Sequence, residues 1–505
     1  MKPTFDLGKG LYVISAVLIL IATFLIFLKS PLFFQVAGFQ QTESPVEEFE
    51  LEKQQFIDTL VLYDSQDDME VDLYIESRLK EMAVGYHLQD YQNLLNLEGI
   101  TTVIVATEDW TGLDTTGLIE FVETGGDLVI AVRPAPQSTF QRVYQQLGII
   151  EYGGFIETSD VTLNPPFFSL EEKLELSGDA FKQSLLSARL HSDATVVAET
   201  RSGHPVLWTY RLGEGEVYFF NGVVLEDSYY APLITWALAE TAAPIYPIVY
   251  AGAALLDGFP FPTQTTRLVD GKSEKNYYRQ DWWLQMQSLE AKFDLNYTAA
   301  AIYPADLGEV NSYDQELELY TRELVLLGGE LGAREYEDLS VELPRLKQAV
   351  GNYPIVSVLD EEEIRTALPV SPTNQTLWES LSEAFLYGTQ VTSFSPYAIY
   401  GDERDVQMWR DVTDFLDSIQ ETYDVPYVPY SEMSKRKQQW EQNEYVIDKQ
   451  GNELNVTLRY FTDHTYFHFV TADKITATSN CEITKIGEQF YLVRALGPQF
   501  SIETE

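Results

Sequence analysis

Leu255-Leu256-Asp257-Gly258-Phe259-Pro260-Phe261-Pro262 closes an apolar run that begins near Ile245. A buried strand that ends on an acidic residue and is then broken by Gly and Pro is how many barrel enzymes present a catalytic carboxylate. The run predicts one strand from Pro247 to Asp257, with Asp257 as the candidate catalytic residue at its exposed end.

Downstream, strand and helix patterns alternate. Tyr277-Tyr278-Arg279-Gln280-Asp281-Trp282-Trp283 opens a helix to about Phe293, and Tyr297 to Tyr303 reads as a strand. A helix from Ser312 to Leu327, a strand end at Gly329-Glu330-Leu331-Gly332, a helix to Val350 and a strand from Pro354 to Leu359 follow. Asn374 to Tyr387 reads as a helix, Thr389 to Ile399 as extended, and Asp405 to Tyr423 as a long amphipathic helix. Units of roughly 30–45 residues predict a partial or complete (β/α) barrel. After the basic patch Lys435-Arg436-Lys437, polar and apolar residues alternate in short runs, which predicts a small antiparallel β domain.

Upstream, Phe56 to Tyr63, Thr101 to Thr107 and Gly126 to Val132 read as strands, with a helical pattern from Met69 to Val84. This βαβ rhythm predicts a parallel sheet covered on both faces. A strand after Gly213-Glu214-Gly215 and a helix from Tyr230 to Glu240 complete the unit. Residues 55–242 thereby resemble the glutamine-amidotransferase-like α/β fold. Hydrolytic members of that fold need a Cys on a strand-to-helix turn. The single cysteine of the chain is Cys481, so glutamine hydrolysis here is excluded, as are an intramolecular disulfide and a CxxC site.

The motif around Asp257 resembles the first motif of the NodB-type polysaccharide deacetylases, in the Leu-Asp-Asp-Phe-Pro-x-Pro form found in Gram-positive Pel exopolysaccharide loci. The likeness runs from about Tyr250 to Glu444 and is strongest at Asp257-Gly258-Phe259-Pro260 and Arg279-Gln280-Asp281-Trp282-Trp283. In such enzymes one Asp is a general base on a metal-bound water, while a second Asp and two His of an HxxxH motif hold the ion. Carried over by position, the base falls on Asp257 and the metal-binding Asp on Gly258. The histidine motif reads Gly328-Gly329-Glu330-Leu331-Gly332-Ala333-Arg334-Glu335-Tyr336-Glu337-Asp338, so Arg334 and Asp338 stand at the histidine positions. Every implied ligand is altered, and Arg334 puts a fixed cation where the ion would sit. The resemblance therefore implies no metal cofactor and a degenerate site, in which an Asp257–Arg334 ion pair replaces the ion. The alternative is an active hydrolase with a divalent metal such as zinc, or a carboxylate pair of Asp257 with Glu330 or Asp338, in a rebuilt site.

Phe259, Tyr278, Asp281 and Trp282, with Arg334 and Asp338, form the expected substrate-binding set, since flat rings stack on the apolar faces of sugars. His464-Thr465-Tyr466-Phe467-His468 is a second HxxxH, but in β sequence its histidines lie roughly 13 Å apart and cannot share an ion.

An uncharged, largely apolar run from Leu11 to Leu28 is about the minimum length for a membrane span. Lys2 and Lys9 precede it, so the expected topology is a single pass with the N-terminus inside and the bulk of the chain outside the cytoplasm. The net charge of −45 excludes nucleic acid as a partner and suits a cationic polymer.

The expected organisation is a cytoplasmic tail and anchor over 1–38, a linker over 39–54 and an amidotransferase-like α/β domain over 55–242. A deacetylase-like barrel over 243–444 and a β domain over 445–505 follow. The expected partners are an amino-sugar exopolysaccharide resembling Pel, the membrane and the subunits of a polysaccharide synthase.

Overall fold

The computed structural model describes residues 47–49, 51 and 57–505, apart from 67–69, 94, 166, 168–169, 171, 224–228, 261–267, 270, 304–309, 335–337, 360–372 and 395–405. The expected anchor at Leu11–Leu28 and most of the linker lie outside these residues. Among the described residues no helix is long and apolar enough to cross a membrane.

The fold is mixed α/β. The first unit is a nine-stranded sheet ordered Tyr86–Asp90, Thr59–Tyr63, Thr102–Val105, Asp127–Ile130, Gly215–Phe220, Pro205–Leu212, Thr195–Glu199, Asp160–Leu163, Leu174–Ser177. The half from Tyr86–Asp90 to Gly215–Phe220 is parallel, as the βαβ rhythm predicts. The other half is antiparallel, which corrects the expectation of a wholly parallel sheet. A connection as short as Gly213-Glu214 can only return the chain antiparallel, because a parallel partner needs a crossover. Val61, Ile104, Val129 and Phe220 pack one face of the sheet against helices Val71–Glu81 and Ala231–Thr241. Leu62, Val103, Ile130, Trp208 and Phe219 fill the other face.

The apolar run from Ile245 is not one strand. Ile245–Ile248 pairs antiparallel with Tyr466–Val470, and Ala251–Phe259 is the next strand, in another sheet. The break falls at Tyr250, whose φ of +50° is the left-handed conformation that a bulky residue rarely adopts. A continuous apolar run gives no periodic signal of such a kink.

Ala251–Phe259 is the fourth of five parallel strands, in the order Ile355–Leu359, Glu330–Arg334, Tyr297–Ala301, Ala251–Phe259, Thr389–Phe394. Among the described residues this sheet is open, with Ile355–Leu359 and Thr389–Phe394 at its edges, rather than a closed ring. Ala254, Leu256, Ala299, Leu331 and Ala333 face a layer that includes Trp283, Met286, Leu317, Leu346 and Leu416 from four helices. Ala251, Ala253, Leu255 and Ala300 face the other way, onto Tyr430 and Met433 of helix Tyr430–Gln442. That helix covers the second face of the open sheet.

The C-terminal unit is a pair of four-stranded antiparallel sheets sharing a core of Ile245, Val456, Phe467, Val493, Phe500 and Ile502. The alternating sequence after Glu444 predicts these strands, and Ile245–Ile248 joins them from far upstream.

Candidate functional site

Because the five central strands are parallel, their C-terminal ends share one edge, where α/β sheets place ligand sites. Asp257, Ala300 and Gly332 are register neighbours on adjacent strands, and Arg334 lies two residues further along on the same face. Arg334 Nη1 donates to Asp257 Oδ1, and both side chains are partly buried. Ala300 and Gly332 are small enough to let the guanidinium reach across the intervening strand. A Cβ on Gly332 would sit 2.7 Å from Ser357 Oγ. Arg334 Nε is buried and finds no hydrogen-bond acceptor among the described residues.

Gly258 follows Asp257 at a register shift of the strand, with φ at +66°. Glycine adopts that conformation without the cost a Cβ imposes. Asp338 caps helix Leu339–Val350: its Oδ1 accepts from the Ser340 N–H at 2.9 Å and from Ser340 Oγ at 2.6 Å. A guanidinium on the carboxylate, a glycine and a capping Asp do not make a ligand set for a divalent ion. Among the described residues, no group of three or more His, Cys, Asp or Glu could hold one.

Glu330, at the start of the Arg334 strand, has a structural task. Its carboxylate accepts from the Ser431 N–H at 2.9 Å, Ser431 Oγ at 2.5 Å and Thr298 Oγ1 at 3.0 Å. It thus satisfies one orphan backbone donor at the start of helix Tyr430–Gln442, and Thr298 Oγ1 takes the Tyr430 N–H beside it at 2.8 Å. Glu330 lies two strands away from Asp257 and two residues before Gly332, and both its oxygens are engaged by Thr298 and Ser431 rather than turned to Asp257.

Residues 156–349 match the family model of DUF2194, uncharacterised proteins conserved in bacteria. No curated protein matches the chain. Among solved structures, the crystal structure of Agd3, described as a novel carbohydrate deacetylase, superposes with a TM-score of 0.53 at 10% identity, covering 89% of this chain and 99% of that one. The chain shares the fold of a carbohydrate deacetylase. Gan42B, a GH42 β-galactosidase from G. stearothermophilus, matches at 14% identity over 36% of this chain and 30% of its own, with a TM-score of 0.26. The cytoplasmic protein STM1381 from Salmonella typhimurium LT2 matches at 11% identity over 36% of this chain and 94% of its own, with a TM-score of 0.27.

In this deacetylase-like fold the expected aromatic platform is core. Phe259, Tyr278 and Trp282 are each 1% exposed or less. Tyr278 stacks on Trp282 with centroids 4.8 Å apart and meets Tyr320 edge-on at 5.0 Å. A π-helical turn over Tyr278–Trp282 carries both rings inward. They support the sheet and offer no face to a sugar, which corrects their assignment as substrate contacts. Asp281 is half-exposed and pairs with Lys272 Nζ at 2.7 and 3.0 Å.

His468 is fully buried, and its Nδ1 lies 3.1 Å from the Phe385 carbonyl and 3.3 Å from Tyr246 Oη. Burial pushes its pKa down to about 3, so it is a neutral core residue. Cys481 is buried, and burial raises its thiol pKa to about 11.

The first sheet repeats the arrangement at the corresponding edge, and sequence reasoning missed it. Glu108 and Arg133 follow the strands Thr102–Val105 and Asp127–Ile130, and Arg133 Nη1 donates to Glu108 Oε1 at 2.6 Å. Arg133 Nε donates to the Ser184 carbonyl at 2.7 Å, and its guanidinium lies 4.0 Å from the Phe155 ring centroid. A charged residue just beyond each apolar strand was the available signal.

Proposed function

We propose that this chain is an extracytoplasmic glycan-handling protein of a Pel-like amino-sugar exopolysaccharide system, held to the membrane by Leu11–Leu28. In this reading it binds polymer at the C-terminal edge of its deacetylase-like sheet and assembles with the synthase, without deacetylating it. The observation that carries the reading is the Asp257–Arg334 ion pair. The guanidinium occupies the carboxylate oxygen that a general base would offer, and it repels a divalent cation from the place where a deacetylase holds one. The Arg334 side chain is partly exposed at this edge, and the N–H groups of its guanidinium suit a sugar hydroxyl or an acetamido carbonyl. The deacetylase-like fold supports a polysaccharide as the ligand class.

The test is an acetate-release assay on N-acetylated hexosamine oligomers with full-length protein purified without chelators, alongside its metal content by mass spectrometry. The expected result is neither acetate nor stoichiometric metal, also after incubation with zinc, together with measurable binding of the oligomers that Arg334→Ala weakens. Acetate release that depends on Asp257 would overturn the reading in favour of an active hydrolase with a rebuilt site.

A further inference from the structure

A cleft of about 310 Å³ opens where the first sheet meets the β-sandwich and the helices of the central unit. Its wall is aromatic: Trp236 lies against Phe167 and Tyr218, with centroids 5.4 and 5.9 Å apart. Its charge is negative. Glu216 lies on strand Gly215–Phe220, two residues before Tyr218 and on the same face. Glu240 lies in the last turn of helix Ala231–Thr241, a turn with no basic residue. Glu488 enters from the sandwich.

A carboxylate at the C-terminal end of a helix stands in the negative end of the helix dipole and is unfavourable there. Burial and then the neighbouring Glu216 push Glu240 up to about 7. Asp127, which accepts from the Glu216 N–H at 3.2 Å, is raised to about 6, mainly by burial. The cations near by are Arg211, the register partner of Glu216, and Lys449, which acts on Asp127. Among the described residues neither forms an ion pair with Glu216 or Glu240. The acids are too dispersed to enclose a metal ion. Trp236 hydrogen-bonds Glu240 and Tyr218 hydrogen-bonds Glu216, but neither contact neutralises a charge. Rings beside carboxylates that lack an ion-pair partner favour an organic cation with one flat apolar face.

We propose that this cleft binds the protonated amine of an amino-sugar unit, the ring against Trp236 and the ammonium between Glu216 and Glu240. The organic-cation class follows from the cleft alone, while the choice of an amino sugar rests on the polysaccharide reading above. The volume is at the lower end of the range for small-ligand sites and suits a short stretch of polymer. De-N-acetylated units would be held here and N-acetylated ones rejected, because an acetamide offers the carboxylates no charge.

The test is calorimetric titration of the full-length chain at neutral pH with a glucosamine tetramer, an N-acetylglucosamine tetramer and choline. The expected result is binding of the glucosamine tetramer that Glu216→Gln with Glu240→Gln weakens at least about tenfold, as loss of two close charge partners implies. Glu98→Gln, on an exposed surface, controls for the general acidity of the chain and is expected to change nothing. The glutamines keep the shape and remove mutual repulsion, so the double variant is expected to fold, and Glu240→Gln alone gives an intermediate affinity. Unchanged affinity in the double variant, or no binding of the glucosamine tetramer by the parent, overturns the site. Equal binding of choline overturns the amino-sugar assignment. Loss of N-acetylated tetramer binding on Arg334→Ala reports separately on the sheet-edge reading.

Discussion

Arg334 reaches across the strand Tyr297–Ala301 to place Nη1 on the carboxylate of Asp257, joining residues 77 positions apart in the chain. The pair closes the C-terminal edge of the central sheet with a fixed cation. It also makes the site's charge balance independent of any bound ion.

Removing either partner leaves a partly buried charge. Arg334→Ala and Asp257→Ala are each expected to lower stability by about 1–2 kcal/mol, less than for a fully buried pair. The double variant is expected to cost less than the sum. Urea unfolding of the four proteins checks this, and strict additivity would show that the two side chains do not interact.

Glu330 caps helix Tyr430–Gln442 from another element. Glu330→Gln keeps the size but removes the charge that three donors share, with an expected loss of about 1–2 kcal/mol. Glu330→Gln is expected to leave oligomer binding at Arg334 unchanged within error. A large loss of affinity without a loss of stability would return Glu330 to the site.

Trp282 is packing, not a platform. Trp282→Ala is expected to cost about 3–5 kcal/mol through the cavity it opens. Trp282→Phe, which keeps most of the ring, is expected to bind glycan as the parent does. Thermal melting with a binding titration separates the two effects.

Two buried groups give the stability a pH dependence. Glu240 has its folded pKa raised to about 7, so the folded state prefers its neutral form. Stability is therefore full below the unfolded value near 4.5 and falls as the pH rises towards 7, by up to about 3 kcal/mol before solvent screening. His468 acts in the opposite sense: its pKa is pushed down to about 3, so stability is full above 6.5 and falls as the pH drops towards 3. Melting curves across this range are expected to flatten on the alkaline side in Glu240→Gln. An unchanged profile would show that Glu240 ionises freely.

Much of the local structure was legible because it follows from periodicity within a few residues. The strands Thr102–Val105 and Asp127–Ile130 and the helix Ala231–Thr241 fall where apolar patterning predicts them. The alternating strands after Glu444 do so too. The edge position of Asp257 was readable from the Gly and Pro that end its strand. The approach of Arg334 to it was readable only through the resemblance that aligns the two motifs.

The sequence by itself determined the mixed α/β class, the strand-end carboxylate, the absence of a cysteine nucleophile in the first unit and the strong negative charge. These are properties of composition and of short windows. The tertiary structure alone decided that the apolar run breaks at Tyr250, that Glu330 caps a helix 101 residues away, and that Trp282 faces inward. It alone gathered Glu216, Glu240 and Trp236 around one cleft with the sandwich. Each of these depends on which surfaces meet when distant segments pack, and a local pattern carries the tendency to be buried but not the identity of the neighbour.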